Sequence, residues 1–417
     1  MAASNPRLLS PVTPDALLAA LRRPGTVLLD GPRRDPDTGR RGALLFAEPS
    51  ATLTANGYAD VAPLLDALDA ALAGGRHVAG VLAYEAGYAF EPDRFPEPPR
   101  PDGRLGWFGV YGAPAEVPPS VLDDALAALP PARVEAPAFA WDAEAYADRV
   151  AAVHRRIREG DVYQINLTAP FRFGAAGDAL SLFAALRRGQ SASYGAVVRE
   201  PGRDVLSVSP ELFFRVDPAD GGADGSAPRV ITARPMKGTA PRGAGGAQDR
   251  ALADGLLASE KDRAENLMIV DLLRNDLARV AATGSVRVPA LFEAERYETL
   301  TQMTSTVAAD LRAGASLGDV LRALFPCGSV TGAPKIRAMS LIHELEDGPR
   351  GVYCGAVGYA APGLRRAAFN VAIRTAVVQD GQGRYDVGSG VVWDSVAAAE
   401  YAECRLKARV LTDLADG

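Results

Sequence analysis

Strand-like runs joined by glycine turns dominate the C-terminal part of the chain and limit its possible folds more than any other feature. Residues 351–360, 367–379 and 384–393 read GVYCGAVGYA, AAFNVAIRTAVVQ and RYDVGSGVVW. Their β-branched content and the turns between them predict strands arranged as hairpins. Helix-like segments such as AYADRVAAVHRRIRE, residues 145–159, separate such runs elsewhere. Hairpins separated by helices predict an α+β fold with antiparallel sheets, not a regular βαβ alternation.

A second hairpin is expected where ELFFRVD is followed by RVITARPM across the glycine-rich and aspartate-rich loop DPADGGADGSAP. A segment with six prolines, residues 112–140, is the best candidate for a domain boundary. We therefore predict an N-terminal segment, residues 1–130, and a catalytic region, residues 141–414. Alternatively, the proline-rich segment is an excursion within one fold, in which the two regions are intertwined.

Charge and hydropathy argue against several classes of function. The 417 residues carry a formal net charge of −6, so the sequence shows no sign of nucleic-acid binding. No segment approaches the roughly 20 apolar residues of a membrane-spanning helix. The start, MAASNPRLLSPVTPDALLAAL, lacks the long apolar core of a signal peptide, and we expect a cytoplasmic protein. The three cysteines and three histidines lack the spacing of zinc ligands.

Two helix-like segments each carry a pair of carboxylates three residues apart. SEKDRAENLMIVDLLRND contains Asp262 and Glu265, and DSVAAAEYAECRLKARVL, which Ser395 is expected to cap, contains Glu400 and Glu403. Residues i and i+3 share a helix face, so each pair can point into one pocket. Magnesium is typically held by one or two carboxylates together with water and substrate oxygens. The pairs therefore indicate a magnesium site, unless both are ordinary solvated helix faces.

One lysine, Lys237, is expected on a turn between Pro235 and Gly238 in the motif RPMKGT. A lysine attacks carbon only when its amine is neutral, which burial or a neighbouring positive charge favours. Arg234 supplies such a charge close by in the sequence. Lys237 is accordingly a candidate nucleophile, and the alternative is a solvated loop lysine.

Glycine-rich turns offer sites for anions. SVTGAPK, residues 329–335, precedes a helix but lacks the spacing of a phosphate-binding loop, so nucleotide binding is disfavoured and a carboxylate is the better ligand. Free backbone N–H groups in the GSG run, Gly388 to Gly390, can also meet a carboxylate. Arg374, at the end of the strand NVAIR, is a candidate bidentate clamp or else a salt-bridged strand end.

Together these segments resemble the chorismate-utilising enzymes, which include component I of aminodeoxychorismate synthase and of anthranilate synthase. The isochorismate and salicylate synthases belong to the same family. The matching stretches occur in family order from about residue 160 to the end: GDVYQINLT, SVSPELFFRV, RPMKGTAPRG, EKDRAENLMIVDLLRND, FPCGSVTGAPKIRAM, GVYCGAVGY, NVAIRT, GSGVVWDS and AEYAECRLKA. YEAGYAFEP, near residue 84, extends the likeness toward the N-terminus. The resemblance implies two antiparallel sheets packed face to face and surrounded by helices, with the active site in the cleft between them.

The resemblance also implies a role for each candidate residue. Glu265 and Glu403 would hold Mg²⁺, which in turn holds the ring carboxylate of chorismate, and Asp262 and Glu400 would stand around them. Several residues would bind the substrate, mainly at its enolpyruvyl carboxylate: Tyr353, Arg374, Gly388, Gly390, Thr239 and Lys407. Asp262 stands where relatives often carry Glu, and Gln302 where anthranilate synthases carry a catalytic His.

Two positions indicate the reaction. Members of the family that add water carry a lysine base where this chain has Gln164, which has no useful basicity. Anthranilate synthases carry alanine in PIAGT, whereas this chain has PMKGT, as aminodeoxychorismate synthases do. In that subfamily the lysine attacks C2 of chorismate and expels the C4 hydroxyl, and ammonia then attacks C4. We therefore predict a magnesium-dependent amination in which Lys237, Glu265 and Gln164 are catalytic, in the 4-aminobenzoate and folate route or a related secondary pathway.

Two alternatives remain beside this interpretation. The first is anthranilate synthase component I, which aminates at the ortho position and releases pyruvate. The second is a non-catalytic metabolite-binding protein on this fold, against which the four acids, Lys237 and Arg374 argue. The chain shows no nucleophile-elbow cysteine, so its ammonia would come from a separate glutamine amidotransferase subunit. VLLDG departs from the LLES pattern that lines the tryptophan pocket of relatives, so feedback inhibition is not expected.

Overall fold

The structure, a computed structural model, describes residues 12–31, 42–189, 193–219, 228–243, 245–296 and 300–415. The loop expected between ELFFRVD and RVITARPM falls mostly outside the described residues, as does the start of the chain. The helices within these ranges are α1 (Pro14–Leu21), α2 (Val61–Ala73), α3 (Pro119–Ala127), α4 (Ala143–Arg158), α5 (Ala179–Gly189), α6 (Gly246–Ala258), α7 (Glu260–Ala278), α8 (Leu317–Leu324), α9 (Lys335–Leu345), α10 (Ala397–Lys407) and α11 (Arg409–Thr412).

The strands form two antiparallel sheets. The first has the spatial order β16 (Gly332–Ala333), β8 (Gln164–Ala176), β20 (Gln382–Val391), β19 (Thr375–Gln379), β10 (Arg203–Ser209), β9 (Tyr194–Glu200), β1 (Val27–Asp30), β2 (Ala43–Phe46) and β6 (Ala115–Val117), and β7 (Arg133–Phe139) also pairs with β8. The second has the order β13 (Met236–Pro241), β15 (Leu300–Asp310), β12 (Arg229–Arg234), β11 (Leu212–Pro218), β18 (Ala367–Val371), β17 (Ala356–Ala360), β4 (His77–Leu82), β5 (Gly106–Tyr111) and β3 (Ala51–Ala55), and β14 (Arg287–Arg296) also pairs with β15.

The predicted α+β fold with two antiparallel sheets is confirmed. One continuous hydrophobic cluster contains inward-facing residues of both sheets, such as Leu206 and Val208 from the first and Phe214 and Val216 from the second. Alternate residues along each strand supply these side chains, because successive side chains point to opposite faces of a sheet. The expected pairing of ELFFRVD with RVITARPM is also confirmed, as β11 and β12.

Strands from the first 130 residues enter both sheets. β1, β2 and β6 lie in the first sheet, and β3, β4 and β5 lie in the second. The proline-rich segment contains β6, α3 and β7, and β7 pairs with β8. Neither sheet is therefore complete without strands from both sides of the predicted boundary.

The two acidic helices begin differently. The Ser259 hydroxyl caps α7, since it accepts a hydrogen bond from the backbone N–H of Asp262 at 3.3 Å. The cap expected for α10 is wrong, because Val396 occupies that position without a side-chain hydrogen bond. Ser395 instead donates to Glu400 Oε1 at 2.7 Å. Within the described ranges, no helix has both the length and the apolarity needed to cross a membrane.

Candidate active site

Both sheets and the helix α7 contribute to one site around Lys237. A β-carbon at position 390, in β20, would lie 2.7 Å from Nε2 of Gln164 and 3.1 Å from Nζ of Lys237. A β-carbon at Gly238 would lie 3.0 Å from the side chain of Asp262. The strand β13 thus places the lysine between the first sheet and the N-terminal half of α7.

Lys237 lies in a strand, so the expectation of a turn is wrong. The pairing of β13 with β15 changes register between Met236 and Thr239, which makes a β-bulge around the lysine. Gly238 has a φ of 88°, a conformation that favours glycine. The bulge directs the half-buried Lys237 side chain toward Gly390 and leaves Thr239 exposed, opposite Gln302.

The acid pairs of α7 and α10 interact with each other and with Lys237. Burial raises the pKa of Glu265, whose side chain is 19 % exposed, and the like charges of Asp262 and Glu400 act in the same direction. The positive charges of Lys237 and Lys261 oppose this increase. The charges of Lys237 and of carboxylates on both helices therefore act on Glu265.

Glu403 is held by Lys407 at the other side of the site. Nζ of Lys407 lies 2.6 Å from Oε1 of Glu403 and donates to the carbonyl oxygen of Gly388 at 2.8 Å. Partial burial tends to raise the pKa of Glu403, but the Lys407 ammonium outweighs it and lowers that pKa. Lys407 therefore ties α10 to the glycine run of β20, besides forming the ordinary i,i+4 pair.

The acids of α7 and α10 are the candidate ligands for magnesium. Among the described residues, no group of three or more His, Cys, Asp or Glu side chains is placed to hold a metal ion. Magnesium does not need three protein ligands, because it commonly keeps waters and takes one or two carboxylates plus substrate oxygens. Burial and the like charges that raise the pKa of Glu265 are the conditions that a bound cation relieves.

Gln164 is fully buried, and within the described part of the chain neither its Nε2 nor its Oε1 has a hydrogen-bond partner. A buried polar group without a partner costs about 1–3 kcal/mol, so such an amide calls for an explanation. Its Nε2 lies 2.7 Å from the position of a β-carbon at Gly390, which the amine of Lys237 also borders.

Sequence reasoning did not single out Glu211, which directly precedes β11. Its side chain is buried at 4 % exposure, and the Ser329 hydroxyl donates to its Oε1 at 2.6 Å. Burial raises the pKa of Glu211 to about 7, although the Ser329 hydrogen bond and the charge of Lys237 oppose the increase. A carboxylic acid within a strongly apolar run, SPELFF, was the available signal.

The structure shows the burial and the backbone conformation of other candidates. Tyr353 is almost completely buried, and burial raises the pKa of its phenol. Arg374 is half-buried and lies directly before β19, so its expected position at the end of the strand NVAIR is wrong, since β18 ends at Val371. Its φ of 50° is unusual for a residue with a side chain. The lysine of SVTGAPK, Lys335, instead donates to Asp276 at 2.6 Å, so it connects α9 to α7, and Ser329 is the residue of that motif that acts on Glu211.

Comparison with known proteins identifies relatives. A model of the family of chorismate binding enzymes matches residues 28–413. The aminodeoxychorismate synthase of Streptomyces pristinaespiralis is 48 % identical over 265 residues, 63 % of this chain and 35 % of that protein. Anthranilate synthase component 1 of Methanothermobacter marburgensis is 40 % identical over 266 residues, 64 % of this chain and 55 % of that protein. The matched segment thus spans only about a third to a half of these relatives, and their names leave the reaction open.

The fold has a close counterpart among solved structures. Anthranilate synthase component I from Streptococcus pneumoniae TIGR4 superposes with a TM-score of 0.73, covering 99 % of this chain and 100 % of that one. The two chains are 24 % identical, so the likeness concerns the arrangement of the two sheets and their helices.

Proposed function

The chain belongs to the family of chorismate-binding enzymes, and on that basis we propose that it is component I of an aminodeoxychorismate synthase. In this reaction, ammonia replaces the C4 hydroxyl of chorismate to give 4-amino-4-deoxychorismate, and the enolpyruvyl group is retained. The position of Lys237 carries the proposal, because its amine lies at the centre of the site beside Gly390 and near the acids of α7 and α10.

The proposed reaction has two displacement steps. The neutral amine of Lys237 forms a bond to C2 of chorismate, the two conjugated ring double bonds shift, and the C4–O bond breaks. The leaving hydroxyl takes a proton and departs as water. Ammonia then forms a bond to C4, the two double bonds shift back, and the C2–N bond breaks to release Lys237. The new C4 ammonium returns one proton to the site, so that the enzyme is unchanged after each turnover.

Glu211 is the acid that we assign to the leaving hydroxyl. With a pKa raised to about 7, it retains its proton over much of the neutral range, whereas an ordinary carboxylate does not. The charge of Lys237 lowers the pKa of Glu211, which supports a shared role for the two groups. The same carboxylate then accepts the proton of the C4 ammonium.

Gln164 favours ammonia over water as the nucleophile. Its amide cannot take a proton from water, so no base at this position generates hydroxide. Its buried and unpartnered donor and acceptor atoms can instead hydrogen-bond a bound ligand. This supports amination over the hydroxylation carried out by isochorismate synthases.

The substrate carboxylates would be held at opposite sides of the ring. Glu265 and Glu403 would hold Mg²⁺, with Asp262 and Glu400 around them, and the ion supplies positive charge for one carboxylate when it is bound. The groups proposed for the enolpyruvyl carboxylate are the guanidinium of Arg374, the phenol of Tyr353 and the backbone N–H groups of Gly388 and Gly390, with Lys407 and Thr239 nearby.

Product analysis tests the proposal. The chain is incubated with chorismate, MgCl₂ and an ammonium salt, and the products are separated and weighed by mass spectrometry. We expect 4-amino-4-deoxychorismate without release of pyruvate. Anthranilate with one equivalent of pyruvate would instead identify an anthranilate synthase, the activity named for one relative. Isochorismate, or chorismate recovered unchanged, would contradict the assignment.

A further inference from the structure

A buried arginine outside the candidate active site connects two backbone segments that border the site. Arg350, which follows α9, is only 2 % exposed. Its Nη1 donates to the carbonyl oxygen of Val330 at 2.8 Å, and its Nη2 donates to that of Asn166 at 2.6 Å. Asn166 belongs to β8, whereas Val330 closes the short 3-10 turn Gly328–Val330. One guanidinium thus bridges two backbone segments that are far apart in the sequence.

The guanidinium is itself held rigidly. Glu346 accepts from its Nε at 2.9 Å and from its Nη2 at 2.6 Å, a bidentate pair that neutralises the buried charge. Its plane lies over the ring of Tyr84, 4.6 Å from the ring centre. The backbone N–H of Arg350 donates to Glu85 at 2.7 Å, which anchors the residue from the N-terminal part of the chain.

The two bridged segments each carry a residue of the site. Gln164 stands two residues before Asn166 on β8, and Ser329 directly precedes Val330. The Ser329 hydroxyl makes the 2.6 Å hydrogen bond to Glu211. A displacement of Val330 would therefore move the hydroxyl that stabilises the Glu211 carboxylate.

We propose that Arg350 is a positioning residue: it holds β8 and the Gly328–Val330 turn at one separation, and thereby keeps the Ser329 hydroxyl on Glu211. The inference rests on the proposed function only in that Glu211 serves the reaction as an acid. A lysine cannot replace Arg350, because a single ammonium lacks the planar fork that reaches both carbonyls and Glu346 together.

Other titratable groups near Glu211 do not obscure a shift in its pKa. Lys237 acts on Glu211 from β13, and the thiol of Cys327 lies 3.2 Å from the Ser329 hydroxyl. Burial raises the pKa of Cys327 to about 12, so this thiol stays neutral over the range in which Glu211 titrates.

The experiment compares Arg350→Lys with Arg203→Lys. Arg203 is also buried, and its Nε and Nη2 both donate to Oε1 of Glu200, but it lies at the turn between β9 and β10. We expect Arg350→Lys to lower kcat about 10-fold or more while KM changes less. Loss of a hydrogen bond to the carboxylate should raise the pKa of Glu211, so the activity limb that falls with rising pH should move upward by about one pH unit. Arg203→Lys should change neither kcat nor the pH at which activity falls.

A double-mutant cycle separates positioning from general damage. Ser329→Ala alone should move the same limb, and adding Arg350→Lys should move it little further, because both act through one hydrogen bond. Additive shifts, an unchanged limb in Arg350→Lys, or an equal effect in Arg203→Lys would overturn the inference. If Arg350→Lys does not fold, Tyr84→Leu is tested instead. It removes the ring that supports the guanidinium but leaves the charges of Arg350 and Glu346. The activity limb must then show the same upward shift.

Failure of the proposed function can be recognised separately. The protonated carboxyl of Glu211 gives an infrared band that is identified by its absence in Glu211→Gln. The pH dependence of this band reports the pKa of Glu211 without any turnover. If the protein does not aminate chorismate but this band still titrates at higher pH in Arg350→Lys, the positioning role stands and the reaction is wrong. If the band is unmoved, the positioning role is wrong whatever the reaction.

Discussion

The amine nitrogen of Lys237 lies against Gly390, 3.1 Å from the position that a β-carbon on that glycine would occupy. The amide of Gln164 lies still closer to the same position, at 2.7 Å. Glycine at 390 therefore leaves the space in which the lysine of the second sheet meets the glutamine of the first. Three strands distant in sequence, β8, β13 and β20, form the centre of the site at this contact.

Gly390→Ala should reduce turnover without unfolding the protein. The added methyl group would meet the ends of two flexible side chains, which can move away, and both would leave their positions in the site. We expect kcat/KM to fall on the order of 100-fold, with little change in melting temperature. Gly348→Ala, at an exposed glycine with open space around it, is the matched control. A Gly390→Ala enzyme with wild-type kinetics would show that the contact is unimportant.

Lys237 should carry a covalent adduct when ammonia is absent. Incubation with chorismate and Mg²⁺ should add mass to the peptide containing RPMKGT, and more so as pH rises, because only the neutral amine attacks. Lys237→Ala should show no adduct and on the order of 100-fold lower turnover with ammonium. Lys261→Ala, which removes another positive charge near Glu265, should still form the adduct. Intact-protein mass spectrometry decides, and an unmodified wild type with an unimpaired Lys237→Ala variant would exclude a nucleophilic lysine.

Glu265 and Glu403 should both be required for magnesium. Glu265→Gln and Glu403→Gln remove one negative charge each and should weaken Mg²⁺ binding, measured by calorimetry, at least 10-fold. Turnover should be lost in both variants and in wild type with excess chelator, while circular dichroism remains unchanged. Glu260→Gln, at an exposed acid in the first turn of α7, should behave as wild type. Full activity in chelator would refute the metal assignment.

The source of nitrogen should depend on a partner. The purified chain should turn over chorismate with ammonium, and faster at raised pH where more free ammonia is present, but not with glutamine. Addition of a glutamine amidotransferase subunit should restore use of glutamine. Two relatives are named as component 1 or component I of an anthranilate synthase. Glutamine-dependent turnover by the chain alone would contradict this expectation.

The stability of the protein should fall between about pH 4.5 and pH 7 because of Glu85. Burial raises the pKa of this carboxyl from 4.5 to about 7, although the N–H of Arg350 partly opposes the increase. The folded state thus holds a proton that the unfolded chain releases, so the stabilisation is complete below the unfolded pKa and disappears as pH rises through the folded one. Glu85→Gln should remove about 3 kcal/mol of this pH dependence. Urea unfolding at several pH values measures it, with the exposed Glu144→Gln as control.

Several features could be predicted from the sequence because they depend on local periodicity. Hairpins read from strand-like runs and glycine turns appear as the two antiparallel sheets. The i,i+3 spacing of acids on α7 and α10 places each pair on one helix face, whatever the helix packs against. The family motifs likewise pointed to Lys237 and Gln164 without any knowledge of their surroundings.

Only the tertiary structure decided which of these residues meet and how they are charged. Ser329 reaches Glu211 across 118 positions, and Ser395 turns to Glu400 instead of capping α10. The bulge at Lys237 arises from the register of β13 against β15, which no local pattern specifies. Burial then raises the pKa of Glu211 to about 7, and burial depends on every element packed around a carboxyl. Residue spacing determines the face on which a side chain lies, whereas sheet register and packing determine what that side chain meets.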